Sequence, residues 1–476
     1  MSTRHAEPFR SNLLSLGALW MGCFFLLTTV LANGEGMIMN ERQITKAPCG
    51  HILTNTRVWS PDGKWVVYDV RSDPAGDRFD GGRIEMVNVE TGEVKVLYTA
   101  KNGANCGVVT FHPREPKVAF ILGPEHPSED WQYGPYHRQG VIVDTRTLTA
   151  ENLDARDITP PFTPGALRGG SHVHIWDGEG EWVSFTYEDH VLAGNTTEDG
   201  THEMNLRNIG VSIPRHPVRV SRDHPRNHDG EAFTVLVTKT VANPRPGSDE
   251  ISKAFEEGWV GDHGYQKGDG SRQKHALAFQ GLVRGAAGEI FSEVFVADLP
   301  DDLTRAGDGL LAGTSVKRPA PPLGVSQRRI TFTSGRKYPG LQGTRHWLRC
   351  SPDGSRIAFL MKDDQGVAQL WTVSPNGGSP VQLSTNRWPI SSTFTWSPDG
   401  RRLAHAMDGS VCVTEYPTGK TTRLPSNPEG ASPQRPESCV FSPDGKRIAC
   451  VRPVPQNGTV YNQVFVIDAP PGLGGE

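Results

Sequence analysis

The residues best suited to chemistry are two histidines one position apart, His172-Val173-His174. On a regular strand, residues i and i+2 project from the same face, so this spacing can offer two imidazoles to one divalent metal. When the repeats described below are aligned on their turns, His346 falls at the level of His172, and Asn55, Ser392 and Glu437 hold that level in other repeats. Manganese or zinc held by His172, His174 and His346 is one expectation. The other is that these histidines are hydrogen-bonded between neighbouring sheets and bind nothing, as Trp176 on the same face suggests.

A second set of candidates is polar and aromatic. Arg71, Trp131, Tyr136, His137 and Arg168 are candidate ligand contacts, and His190, Arg168 and Arg71 are candidate catalytic groups, a histidine serving as base and an arginine holding an acid group. Other chemistries are set aside. Gly419-Lys420-Thr421 lacks the glycine that a phosphate loop needs five residues earlier, where Thr414 stands, and no Gly-x-Ser-x-Gly occurs. With 49 basic and 53 acidic side chains and no block of one sign, bulk charge gives no reason to expect a nucleic acid partner.

The elements that must position these residues are repeats. Ser-Pro-Asp-Gly occurs at 60–63, 351–354, 397–400 and 442–445, each time between two apolar runs. Proline ends a strand, and Asp-Gly supplies a local side-chain bond and a positive φ, so each copy joins two antiparallel strands. The last three copies recur about every 45 residues, the length of one four-stranded propeller blade. The reading is all-β: a seven-bladed β-propeller over 39–469. Its seventh blade shows three strands, and Arg42-Gln43-Ile44-Thr45 resembles the fourth strands Arg329-Ile330-Thr331 and Gln382-Leu383-Ser384, so an N-terminal strand is expected to close the ring.

Blade 4 is expected to be distorted: inner strand at 231–240, then an insertion at 241–274 with a short helix capped by Ser248 and stopped by Gly258, and a second excursion at 300–326 at the same end. The loops between second and third strands are long in blades 1 to 3 (71–82, 123–139, 188–204) and carry Arg71, Trp131, Tyr136, His137 and His190. That rim of the axial mouth is where a ligand is expected.

Outside the propeller, Arg4 and Arg10 precede an uncharged apolar run from Leu13 to Leu31. Residues 1–38 therefore read as a signal peptide or membrane-anchor leader, which implies a periplasmic or secreted protein touching the membrane only through an uncleaved leader; a start at Met37 or Met39 would leave it cytoplasmic. Residues 470–476 read as a flexible tail. Of seven cysteines, Cys350, Cys439 and Cys450 fall on strand positions that are apolar elsewhere and read as buried hydrophobes.

The turns, with Gln-Leu-Trp-Thr-Val at 369–373 and Pro-Val-Gln-Leu-Ser at 380–384, resemble TolB-type propeller repeats. Gly169 to Trp176, Gly247 to Ile251 with Gly258-Trp259, and Trp347 to Gln369 resemble a bacterial domain-of-unknown-function family. A more distant resemblance is to oligogalacturonate lyases, which implies a divalent manganese at the mouth held by histidines and a glutamine. His172, His174 and His346 would fill ligand roles, although Gly169 stands where that family has the glutamine. Two functions follow as expectations: an exported module binding a protein or saccharide at the axial mouth, or a metal-dependent lyase or hydrolase of acidic oligosaccharides.

Overall fold

The computed structural model describes residues 41–73, 78–194, 201–425 and 439–470. The leader at 1–38, the start sites Met37 and Met39, Glu437 and all of the tail after Pro470 lie outside these residues. Seven four-stranded antiparallel sheets follow one another as blades. Their inner strands (A) are Gly50–Ile52, Cys106–Phe111, Gly169–Trp176, Ile251–Trp259, Arg349–Cys350, Thr395–Trp396 and Val440–Phe441 for blades 1 to 7. Successive strands B, C and D run outward, so A–B and C–D turns share one end and B–C and D–A loops share the other.

The repeated turn shows why its four residues recur. Ser60, Ser351 and Ser442 each donate a hydroxyl hydrogen bond to the aspartate two residues on, at 2.6 Å, and Ser397 does the same to Asp399. The same hydroxyl accepts the backbone N–H five residues ahead, at 2.9 or 3.0 Å, which starts strand B. Gly63, Gly354, Gly400 and Gly445 sit at φ of 66°, 75°, 68° and 69°, a region that costs a side chain energy. In blade 2 His112 substitutes, its Nδ1 accepting from Arg114 and Glu115 N–H groups.

Glu41–Gln43 pairs antiparallel with Phe465–Ile467 of blade 7 and completes its fourth position. The equivalence extends to side chains. Thr331, Ser384 and Thr45 each accept a strand C backbone N–H on their hydroxyl, from Val294 at 2.8 Å, Leu370 at 3.0 Å and Val464 at 2.8 Å. Each also donates to an amide or carboxylate on strand C: Glu293, Gln369 and Gln463 respectively. Residue 45 is thus a fourth-strand residue of the repeat, supplied from the other end of the chain. The ion pair between Glu41 and Arg452, both buried, fastens it.

The core is a set of layers between blades. Six layers are broad and apolar, such as Ile44, Leu53, Val58, Val66, Val440 and Val464 between blades 7 and 1. The layer between blades 2 and 3 is small, built on Ala119, Leu153, Trp176, Val183 and Ala232, and buried polar groups fill the remainder.

Blade 4 departs from the sequence reading. The stretch expected to be a helix is its inner strand, Ile251–Trp259, and the stretch expected to be that strand is the outer strand of blade 3, Gly230–Leu236. Pairing with strand B skips between Ile251 and Ala254 and again between Phe255 and Gly258, with Glu256 at φ 56°. These bulges spoil the period of two and imitate a helical pattern. Gly258 is no helix stop: a Cβ there would lie 2.2 Å from the Leu348 carbonyl oxygen of blade 5. The A–B connection is therefore 260–274, carrying the small hairpin Tyr265–Gln266 and Arg272–Gln273, and 241–250 moves to the D–A end. The 300–325 excursion leaves from the C–D end but reaches the other, where Glu203 N–H bonds Val316 O at 2.9 Å.

Shortening the chain to begin at Ala47 instead of Met39 removes the closing strand, the Thr45 clip and the acid partner of Arg452. Denaturant unfolding is expected to show a loss of at least about 3 kcal/mol or a loss of cooperativity; equal stability of the two chains would mean that blade 7 closes without it.

Candidate functional site

The three histidines do not converge. Strand A of blade 3 is bulged at Val173 (φ 60°), and pairing with strand B jumps from His172–Thr186 to Ile175–Ser184. The alternation that would have put both imidazoles on one face is broken there. His174 is fully buried between blades 2 and 3, its Nε2 3.0 Å from Ser171 Oγ, which in turn donates to Asp154 Oδ2 at 3.0 Å. Ser171 therefore receives the His174 Nε2 proton. Burial pushes the His174 pKa down to about 3.

His346 is wedged between blades 5 and 6. Its Nδ1 donates to Thr344 O at 2.8 Å, its Nε2 accepts the Leu360 N–H at 3.1 Å, and burial lowers its pKa to about 4. Both nitrogens are spent, so no lone pair remains for a metal. Among the described residues no three His, Cys, Asp or Glu side chains are grouped to hold an ion. The expected manganese or zinc set His172, His174 and His346 does not fit, and no chemistry is derived through a metal.

Two candidate arginines are also structural. Arg168 is fully buried: its Nε and Nη2 donate to Asp189 Oδ2 at 3.1 and 2.6 Å, and Nη1 donates to Thr314 O of the 300–325 excursion. Asp189 also accepts from Tyr187 and from Leu192 N–H. Arg71 donates to Asp69 Oδ2 at 2.5 Å and to Arg78 O at 2.8 Å. Neither guanidinium is presented to a ligand; they brace the loops.

The remaining candidates do come together. His137 Nδ1 donates to Gln132 O at 2.7 Å, which leaves its Nε2 to accept from His190 Nδ1 at 3.0 Å. Trp131 stacks on His137 at 3.8 Å between centroids, and Tyr136 meets it edge-on at 4.6 Å. The Arg168–Asp189 pair lies immediately before His190, whose N–H bonds Arg168 O at 3.1 Å, so the buried ion pair sets the position of the outer histidine. Burial, and then His137 and Arg156, lower the His190 pKa to about 4, so the pair is neutral near pH 7.

His172 is the one histidine of the original set at the mouth. It is half-buried, with no side-chain hydrogen bond among the described residues, and burial followed by Arg138, Arg345 and Arg207 holds its pKa well below the usual value. Those arginines come from blades 2, 5 and 3. Lys253 of blade 4 joins them, its pKa lowered by burial and by Arg207 and opposed by Glu256 and Glu188. Arg207 donates to Glu188 at 2.8 Å and Arg345 to Glu256 at 2.7 Å. Four cations thus face two carboxylates around a neutral imidazole. Phe79 stacked on Tyr133 at 4.7 Å, with Arg138 over the Tyr133 ring, adds an aromatic wall.

Sequence reading missed Arg207, Lys253 and Arg345 as a group. Arg345 stands immediately before His346, already aligned with His172, and that adjacency was the available signal for it. Lys253 was hidden by the helix reading.

Below the mouth the axis is filled. Val173, Ile175 and Trp347 form an apolar plug, and Arg349 of blade 5 donates across the axis to Asn55 of blade 1. Glu257 is fully buried beside them; one oxygen accepts from Thr186 at 3.1 Å and the other has no partner. Burial raises its pKa to about 7. On the far side of the plug, a cavity of about 350 Å³ opens among the Ser-Pro-Asp-Gly turns.

Comparison with known proteins fits this architecture. The chain is 48% identical over 416 residues to the uncharacterized protein YidR of Escherichia coli (strain K12), covering 86% of this chain and 94% of that one. The chain belongs to the YidR family. Residues 105–228, which include the second blade and the first three strands of the third, match a family model described as protein of unknown function, DUF3748. Among solved structures, an oligogalacturonate lyase in complex with manganese superposes with a TM-score of 0.51 at 11% identity, covering 90% of this chain and 93% of that one. TolB from Acinetobacter baumannii aligns with a TM-score of 0.34 at 13% identity over 86% and 81%. The YidR-family fold is thus a propeller of the general kind seen in the lyase.

Glu257 yields a pH prediction for the YidR-family plug. Folded, it keeps its proton to about pH 7; unfolded, only to about 4.5. Its stabilising effect is complete below the lower value and is lost as pH rises through the upper one, at up to about 1.4 kcal/mol per pH unit. Glu257→Gln is expected to be near neutral at pH 4.5 and to stabilise by about 2 kcal/mol at pH 8, measured by denaturant unfolding. An equal effect at both values would place the carboxyl pKa in the ordinary range.

Proposed function

We propose that this YidR-family propeller is a binding module for an acidic saccharide, held at the mouth formed by the B–C and D–A loops of blades 1 to 5. The observation that carries the reading is the charge balance there: Arg138, Arg207, Lys253 and Arg345 against Glu188 and Glu256, around His172. Guanidinium groups match carboxylates in a bidentate fork, and partly buried cations are screened less than surface ones. A neutral His172 can exchange a hydrogen bond with a sugar hydroxyl, and the Phe79–Tyr133 wall offers an apolar face to a pyranose ring.

Export through the leader at 1–38 belongs to the same reading, since a periplasmic or secreted module would meet acidic saccharides there. A metal-dependent lyase finds no support in His174 and His346, which are buried in two different blade interfaces and do not converge with His172. Oligogalacturonate, named for the lyase of similar fold, is the natural probe.

Isothermal titration with oligogalacturonates and with neutral oligosaccharides of the same length tests the proposal. Selective binding of the acidic series, weakening with salt, is expected, and Arg207→Ala and Arg345→Ala should each weaken it by about 5- to 30-fold. Equal affinity for neutral sugars, or no binding to any acidic oligomer, overturns it. Release of an unsaturated product would make the protein a lyase instead.

A further inference from the structure

One position of the repeat changes character in the blade that closes the ring. Aligned on their pairing with strand A, Tyr68, Phe120, Phe185, Phe279, Phe359 and His405 hold the same place on strand B of blades 1 to 6, a ring in every case. Blade 7 has Cys450 there. At the facing place on strand A, blades 1 to 6 carry Arg57, Val109, His174, Glu257, Leu348 and Phe394, and blade 7 carries Cys439. A thiol thus stands where a ring fills the layer elsewhere, and a second thiol stands opposite it. Both cysteines are fully buried.

The two side chains belong to one face of one ladder. Val440 pairs with Ala449 and Phe441 with Ile448, so the next rung is Cys439 with Cys450. Cys439, Phe441, Ile448 and Cys450 lie in the layer between blades 6 and 7, whereas Val440, Ala449 and Val451 lie in the layer between blades 7 and 1. The alternation therefore runs unbroken through both cysteines, although Cys439 sits at φ 89°. Ser442 N–H bonds Arg447 O at 2.8 Å. Hydrogen-bonded and open rungs alternate in an antiparallel ladder, which makes the cysteine rung an open one, where Cα atoms stand about 4.5 Å apart in regular geometry. A disulfide spans about 4.4–6.8 Å between Cα atoms.

We infer that Cys439 and Cys450 are joined by a disulfide when the chain folds in an oxidising compartment, which ties the start of the inner strand of blade 7 to its second strand. Two S–H bonds break and one S–S bond forms; two protons and two electrons pass to an acceptor disulfide, that of oxidised glutathione or of a thiol oxidase, which becomes a pair of thiols. Burial, and then Cys439, hold the Cys450 pKa well above its ordinary value. The thiolate that exchange requires is therefore scarce once blade 7 is packed, and the bridge forms as the blade closes. It acts on the blade that receives Glu41–Gln43, whose ladder between strands A and B has only two regular rungs. The export expected from the leader at 1–38 supplies the compartment.

Redox titration of the full chain tests this. Protein held in urea near its unfolding midpoint, with reduced and oxidised glutathione in varied ratio, is quenched with acid, alkylated and digested. Peptides linked through Cys439 and Cys450 should be the main product, and the bridge should persist at about a tenfold excess of reduced over oxidised glutathione, as a structural disulfide does. Returned to buffer, the bridged protein should melt about 2 to 6 °C above the reduced protein, a comparison that needs no substitution. Cys439→Ala should abolish the linked peptides, leave Cys450 open to alkylation after denaturation, and melt at one temperature with or without oxidant. If both cysteines are alkylated at every glutathione ratio, if Cys450 links to a different cysteine, or if the bridged and reduced parent melt alike, the inference is wrong.

Discussion

The fold depends on a circle closed by hydrogen bonds between the two ends of the chain. Six blades are built from consecutive strands, but the seventh takes its outer strand from Glu41–Gln43. Without that pairing, the edge of strand C in blade 7 would be open, and the apolar layer between blades 7 and 1 would lose Ile44. The closure is specific because Thr45 repeats the two-sided clip that Thr331 and Ser384 make in their own blades. A β-ladder alone could slip by a residue; a hydroxyl that must both accept from Val464 and donate to Gln463 cannot.

Once the circle is fixed, the inner strands meet at an axis too narrow to stay empty, and its contents separate two ends. The plug of Val173, Ile175 and Trp347 and the Arg349–Asn55 cross-link divide the turn end from the loop end. The bulges that recur in the inner strands serve this filling. They turn residues such as Val173 and Glu256 away from the alternation expected of a strand, and that turning leaves His172 at the mouth while His174 enters a blade interface. Local backbone geometry, more than residue type, decides which histidine stands at the mouth.

Buried polar groups fill much of the space between blades 2 and 3, and the same region carries two of the long B–C loops. Arg168 and Asp189 spend their charge on each other and on Thr314, which ties the 300–325 excursion to the chain beside His190. Trp131 sits between that histidine pair on one side and two arginines on the other.

The sequence by itself determined the repeat, the number of blades and the closing strand, because each depends on short-range chemistry: Ser-Pro-Asp-Gly turns, apolar alternation, and a threonine in the position of Ser384. It also placed Trp131, Tyr136, His137 and His190 on one rim, since loop length and strand order settle that. Blade 4 was misread because its inner strand is bulged twice, and a bulge removes the period on which pattern reading rests. Which side chains are spent and which are available was decided only in three dimensions. Arg168, Arg71, His174 and His346 are common site residues by type, yet their partners, Asp189, Asp69, Ser171 and Leu360, are brought to them by strand register. Arg207, Lys253 and Arg345, far apart in the chain and unremarked in any motif, become one charged mouth because blades 3, 4 and 5 share an axis.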